Sequence, residues 1–184
     1  VIVVLPIQKF IHDFFLVTHL NSISPIGLIS VTFIIFLVWA ALEEILKYFS
    51  AHAAGMWRGG MDEPIDAVIY LITAALGFAA MENTLFLLDP IIKGDFVDSI
   101  ITGNLRFVGA TLLHVLSSGI VGIFMAFAFY KSRFTKFVYA TCGLILATAL
   151  HTIFNLSIIN ASESDALISF SFLWMLVLGF LLFL

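Results

Sequence analysis

The sequence predicts an all-α protein, a polytopic bundle of about six membrane-embedded helical segments. Three observations carry that expectation. Of the 184 residues, 62% are hydrophobic and only 11% charged, with a mean hydropathy of +1.16. That is more apolar side chain than a soluble core of this length could hide, so the solvent must be lipid. Second, apolar stretches recur at lengths near the roughly 20 residues that one span needs. Third, no internal repeat, linker or low-complexity tract divides the chain, which reads as one integral membrane domain over residues 1–184.

The stretches follow in order. Residues 1–20 are the weakest, broken by Lys9, His12 and Asp13. Residues 23–57 are too long for one upright span, so the lipid-embedded part is taken as 33–57, with 23–30 pushed towards the outer surface. Then come 64–88, 105–130, 137–159 and 167–184. The chain starts at Val1 and stops within an apolar run, and is expected to be a segment of something longer. Its single cysteine, Cys142, excludes an intramolecular disulfide and a thiolate metal cluster and is read as a small buried hydrophobe. The net charge is −4, and no nucleic-acid partner is expected.

Loop charge sets the orientation. The short loop with Lys131, Arg133 and Lys136 is basic, whereas those with Asp89, Lys93, Asp95 and Asp98 and with Glu163 and Asp165 are net acidic. The positive-inside rule puts the first in the cytoplasm and the others outside. Alternation places Arg58 to Glu63 inside too. Counting along each helix at about 1.5 Å per residue then puts Glu82, His114 and His151 in the outer half of the bilayer, joined by Glu43 if its helix runs down to Trp57.

Glu43 and Glu44 stand side by side in ALEEILKYFS, with Lys47 one turn on. Lys47 lies four residues from Glu43 and three from Glu44, so it can neutralise one of them and leave the other to act. Thr148, His151, Thr152 and Asn155 form a polar stripe on an otherwise apolar helix. Arg106, Ala110, His114 and Ser117 or Ser118 share a face, and Asp66, Tyr70, Thr73, Gly77 and Glu82 drift along one side of the third stretch. Ala74, Ala75, Gly77, Ala79 and Ala80 would let a neighbouring helix approach closely. One intramembrane histidine is as readily a structural hydrogen-bonding group as a functional one. Ionisable groups at a helix centre cost roughly 2.5–3.5 kcal/mol each, however, so this many without a use would forfeit much stability.

These residues resemble the PrsW family of multi-pass intramembrane proteases. EEILK, residues 43–47, is similar to that family's EExxK signature; GFAAMEN, residues 77–83, which holds Glu82 and Asn83, resembles its second block; His114 and the HxxxN of His151 and Asn155 resemble its third and fourth. The similar core runs over about residues 33–159. The order Glu-Glu, His, HxxxN is also similar to the CAAX prenyl endopeptidases and bacteriocin-processing enzymes. Ala67 after Asp66, where a glycine is expected, departs from the pattern.

Peptide hydrolysis needs an activated water, an oxyanion donor set and an acid for the leaving amine. On these residues Glu43 or Glu44 is the base, His114 holds the water and returns the proton, and His151 with Asn155 stabilises the oxyanion. The resemblance to the prenyl endopeptidases implies that arrangement, with the first glutamate as base. Lys47, Glu82, Asn83 and Arg106 are supporting residues. On this reading no cofactor is required. The alternative is a zinc site held by Glu82, His114 and His151 with Glu43 as base. The substrate expected is a membrane-anchored protein, of which the resemblance implies an anti-sigma factor as one example, in a prokaryotic cell membrane. A proton-coupled transporter or channel, or a non-catalytic scaffold, accounts for the same charges if motif order is set aside.

Overall fold

The computed structural model describes residues 9–10, 25–56, 59–94 and 96–159, with residues 168, 171–172, 174–176 and 179 near the C-terminal end. Four long helices make up the described fold: α1 Pro25–Ala54, α2 Pro64–Lys93, α3 Phe96–Phe127 and α4 Arg133–Ile159. No strand occurs among the described residues. Contacts run α1 to α2, α2 to α3, α3 to α4 and α4 back to α1, while the α1–α3 diagonal is slight. Short connections make successive helices antiparallel, so the four close into a ring around one interior.

Among the described residues, three helices are long and apolar enough to cross a membrane: Pro64–Lys93, Gly109–Phe127 and Arg133–Ile158. The stretches expected over 1–20 and 167–184 lie largely outside the described residues, as do the Trp57 and Arg58 anchor and the loop of Glu163 and Asp165. The observed helices outrun the expected ones. α2 continues through the Asp89-Pro90 pair read as loop, and α3 starts at Phe96 instead of near 105. At 30 and 32 residues, these helices are about 45–48 Å long, more than the ~30 Å hydrocarbon core. Their polar ends therefore extend as helix where a hydropathy reading ends the span.

Local chemistry fixes the ends. Ser132 caps α4: its hydroxyl accepts from the Thr135 amide at 3.3 Å, which draws the basic residues Arg133 and Lys136 into the first turn of the helix. At the start of α2, Asp66 Oδ2 accepts the amides of Asp62 at 2.9 Å and Glu63 at 2.8 Å. This reach back from the third helical position satisfies donors that the helix cannot.

Small residues hold the bundle tight. A Cβ on Gly122 of α3 would lie 2.7 Å from Val68 Cα of α2, and one on Gly143 of α4 would lie 3.0 Å from Val121 Cα of α3. Backbones this close need glycine. On α2 the expectation holds for Ala75 and Ala79, both buried, but Gly77 and Ala80 face outward. Only residues three or four apart keep one phase on a helix. Asp66, Tyr70, Thr73 and Gly77 do keep one phase, but Thr73 and Gly77 are exposed, so the expected Asp66-to-Glu82 face is not the one that packs. The buried line is Ala67, Leu71, Ala75 and Phe78. Cys142 is exposed, not buried, because an apolar run in a membrane helix also supplies the face turned to lipid.

Two apolar clusters bracket the interior. Ala51, Met56, Ala67, Leu71, Val121 and Ala147 close one end. Leu113, Leu116 and Phe154, with Leu176 packed on them, lie between α3 and α4. The polar residues singled out in the sequence sit between these clusters.

Candidate active site: a buried glutamate, lysine and histidine cluster

On α1 the inward line is Ala40, Glu43, Glu44, Lys47 and Ala51, all buried, a spacing of three and four that keeps one helical phase. On α4, Ala140, Ala147, His151 and Phe154 do the same. α3 supplies His114, Ser117 and Ser118, each at most 1% exposed. Charged groups thus occupy positions where the pattern elsewhere places alanine or leucine.

Glu44 is the hub. Its Oε1 accepts from Lys47 Nζ at 2.6 Å, from Ser117 Oγ at 2.9 Å and from His151 Nδ1 at 2.8 Å. The ammonium of Lys47 spends its other two N–H bonds on His114 Nδ1 at 3.2 Å and Ser117 Oγ at 3.3 Å, and sits 5.7 Å from the centre of the Phe78 ring. Lys47 therefore pairs with Glu44, and Glu43 turns its Oε2 to His151 Nε2 at 3.5 Å. His114 Nε2 meets Glu82 Oε2 at 2.9 Å. The two imidazoles lie edge to face, 5.2 Å between centroids and 80° between planes.

A carboxylate can only accept and an ammonium can only donate. His114 therefore accepts from Lys47 on Nδ1 and donates from Nε2 to Glu82. His151 faces a carboxylate oxygen at each nitrogen, Glu44 Oε1 at Nδ1 and Glu43 Oε2 at Nε2.

The sequence reading gave His114 as the partner of the base; the structure brings His151 Nε2 to 3.5 Å from Glu43 Oε2, with a ligand atom of His114 within 4.8 Å of both residues. The ring of helices explains this: α4 is a direct neighbour of α1 and α3 lies across the diagonal. Asn155, one turn beyond His151, is half-buried and makes no hydrogen bond to the cluster among the described residues. Asn83 stands apart, donating to Thr111 Oγ1 at 3.1 Å. The side chain of Arg106 lies outside the described residues. Thr152 is buried and donates back to the Thr148 carbonyl at 2.7 Å. Phe78 was missed, and Ser117 was placed on the His114 face without being given a part in the site; each is one helical turn from a residue that was named, Glu82 and His114, which was the available signal.

Glu43, His114 and His151 bring one ligand atom each to within 4.8 Å of one another. Two histidines and a carboxylate are the donor set of an open catalytic zinc site, so these residues fit that ion chemically. Glu82, the carboxylate of the zinc alternative read from the sequence, places its Oε2 2.9 Å from His114 Nε2.

The sequence model described as "PrsW family intramembrane metalloprotease" matches residues 1–183. The chain belongs to the PrsW family. Among relatives, "Protease PrsW" of Geobacillus kaustophilus (strain HTA426) is 29% identical over 123 residues, 65% of this chain and 49% of that protein. "Protease PrsW" of Bacillus subtilis (strain 168) is 29% identical over 123 residues, 65% of this chain and 51% of its own length. That of Shouchella clausii (strain KSM-K16) is 27% identical over 116 residues, covering 63% and 50%. The chain spans about half the length of these PrsW relatives. No solved structure matches. PrsW membership together with the three apolar helices makes this an integral membrane protein.

Proposed function

We propose that this PrsW-family chain is an intramembrane endopeptidase that cuts a membrane-associated protein, with Glu43 as the general base. One observation carries the reading. Glu43 is buried with its Oε2 3.5 Å from the Nε2 of His151, a ring that Glu44 contacts through Nδ1 at 2.8 Å. A water beside this pair would donate a hydrogen to Glu43 and turn a lone pair to a carbonyl carbon. Glu43 then takes the proton as the water attacks and passes it to the leaving amine. Asn155 is the amide available to the developing oxyanion, one turn from His151.

Lys47 does not serve the substrate in this scheme. It balances Glu44 and donates to His114, which keeps the interior from holding adjacent uncompensated carboxylates. The proposed setting is a multi-pass protein of a prokaryotic cell membrane. A membrane-anchored anti-sigma factor is one substrate of the proposed class.

A second version of the chemistry has support of its own. Glu43, His114 and His151 fit a zinc ion, and a carboxylate fixing a histidine through Nδ1, as Glu44 does, is the usual support of a zinc-ligating imidazole. When bound there, zinc would supply Lewis acidity to the carbonyl and the attacking water. The reading is tested by cleavage of a membrane-anchored reporter in vesicles containing the purified protein, with metal content measured on the same sample.

A further inference from the structure

We infer that the turn joining α3 to α4 is a docking surface for anionic phospholipid headgroups, with Lys131, Arg133 and Lys136 as the cations that meet the phosphates. This role is independent of the protease reading and needs only that the chain lies in a membrane.

The three cations have no counter-ion in the chain. All are exposed, and none forms an ion pair among the described residues. No aspartate or glutamate occurs between Asp98 and Glu163, so the α3–α4 hairpin beyond Asp98 carries no carboxylate. The acidic residues at the same end of the bundle, Asp62, Glu63 and Asp66, belong to the connection between α1 and α2, where Asp66 Oδ2 is committed to the Asp62 and Glu63 amides. Nor do Arg133 and Lys136 serve the helix that they open. Its first turn holds no acidic residue, and a cation there opposes the helix dipole. Three like charges gathered on one exposed turn, at a local cost, are left for an anion from outside the chain.

Their surroundings put that anion at a bilayer surface. The apolar spans stop on either side of the turn, at Phe127 on α3 and at Arg133 on α4. Tyr130 is 83% exposed, Phe134 77% and Phe137 69%. Bare rings beside cations at the end of two spans match the headgroup layer, with the rings against the acyl boundary and the charges among the phosphates. Lys136 follows that geometry. Its Nζ lies 5.3 Å from the centre of the Phe129 ring, which meets Tyr130 edge to face at 4.9 Å, so the ammonium is held against the aromatic group. Arg133 and Lys136, three residues apart, share one face of α4, and Lys131 precedes them in the turn. A soluble anion would account for the charges alone, whereas lipid accounts for the charges and the exposed rings together. α3 and α4 also carry His114 and His151, so a headgroup contact at this turn fixes how deep those residues sit.

The test is fluorescence quenching of the purified protein in phosphatidylcholine vesicles. The vesicles contain the same minor share of either phosphatidylglycerol or phosphatidylcholine bearing a nitroxide near the head of its acyl chain. In a Cys142→Ser background a fluorophore is attached at Tyr130→Cys, beside the patch, or at Ile92→Cys, at the opposite end of the bundle. At the Tyr130 position phosphatidylglycerol should associate about fivefold more strongly than phosphatidylcholine, the scale of one Lys or Arg at an anionic surface, and sodium chloride should weaken the preference by screening. The combined Lys131→Gln, Arg133→Gln and Lys136→Gln protein should bring the two lipids to equality, while Lys136→Arg should retain the preference. Where the triple variant does not fold, Arg133→Gln and Lys136→Gln should each lower the preference singly. The Ile92 probe should show none. The inference is overturned if the two lipids quench the parent equally, if the neutralised proteins retain the parental preference, or if the Ile92 probe shows the same preference. Inorganic phosphate that removes the preference at an ionic strength where chloride leaves it would make the patch a site for a soluble anion, which also overturns the lipid assignment.

Discussion

His151 meets both members of a neighbouring glutamate pair, Glu44 Oε1 through Nδ1 at 2.8 Å and Glu43 Oε2 through Nε2 at 3.5 Å. Two adjacent carboxylates on one helix are thereby given different surroundings. Glu44 Oε1 also accepts from Lys47 and Ser117, whereas Glu43 Oε2 meets the ring at the longer distance. On the proposed mechanism this difference makes Glu44 structural and Glu43 reactive.

Lys47→Met should be the most damaging single change to folding. Lys47 is 1% exposed and all three of its N–H bonds find acceptors, so its loss strands the Glu44 charge in the interior at a cost of about 3–5 kcal/mol. Thermal unfolding in detergent would show it. Adding Glu44→Gln to the same chain should recover much of the stability and none of the cleavage, a coupling that independent sites would lack.

Glu82 is expected to act through His114. Glu82→Ala removes the acceptor of the Nε2–H and should lower cleavage about 10- to 100-fold. Glu82→Gln keeps an acceptor oxygen at that position and should retain most of the rate. Equal loss in the two variants would mean the charge itself is needed, as it would be for a metal ligand.

How far the site could be read from the sequence followed how local its logic was. Glu43, Glu44 and Lys47 are one turn of one helix, so the helical period alone places them on a common face. The partner of each histidine could not be read, because it depends on which helices are neighbours, and nothing local says that α4 and not α3 lies beside α1. Ser117 could be placed on the His114 face by its spacing, but its bond to Glu44 could not be read, since it depends on atoms of α1. The all-helical class was legible from hydropathy, but helix ends were not: Ser132 and Asp66 set them by hydrogen bonds that a hydropathy count does not register.

Sidedness is open to a labelling experiment. In a Cys142→Ser background, Lys131→Cys should react only from the cytoplasmic side and Ile92→Cys only from outside, both side chains being exposed. Ser132 is avoided because it caps α4. The reverse pattern would move the glutamate and histidine layer to the cytoplasmic half of the bilayer.

Metal dependence separates the two versions of the chemistry. With Glu43 acting on water unaided, cleavage should survive prolonged chelation and the purified protein should carry less than stoichiometric zinc. One zinc per chain, lost together with activity and restored with it, would assign Glu43, His114 and His151 as its ligands.

The most direct test of the central claim is the cleavage rate of a transmembrane reporter in vesicles holding purified Glu43→Gln protein. The substitution keeps size and shape and removes the basic oxygen. The rate should fall at least about 10²- to 10⁴-fold, the usual contribution of a general base, while the melting temperature holds or rises, because an amide is cheaper to bury than a carboxylate. If folded Glu43→Gln and Glu44→Gln proteins both cut near the parental rate, the carboxylates are structural or part of an ion path, and the account is wrong.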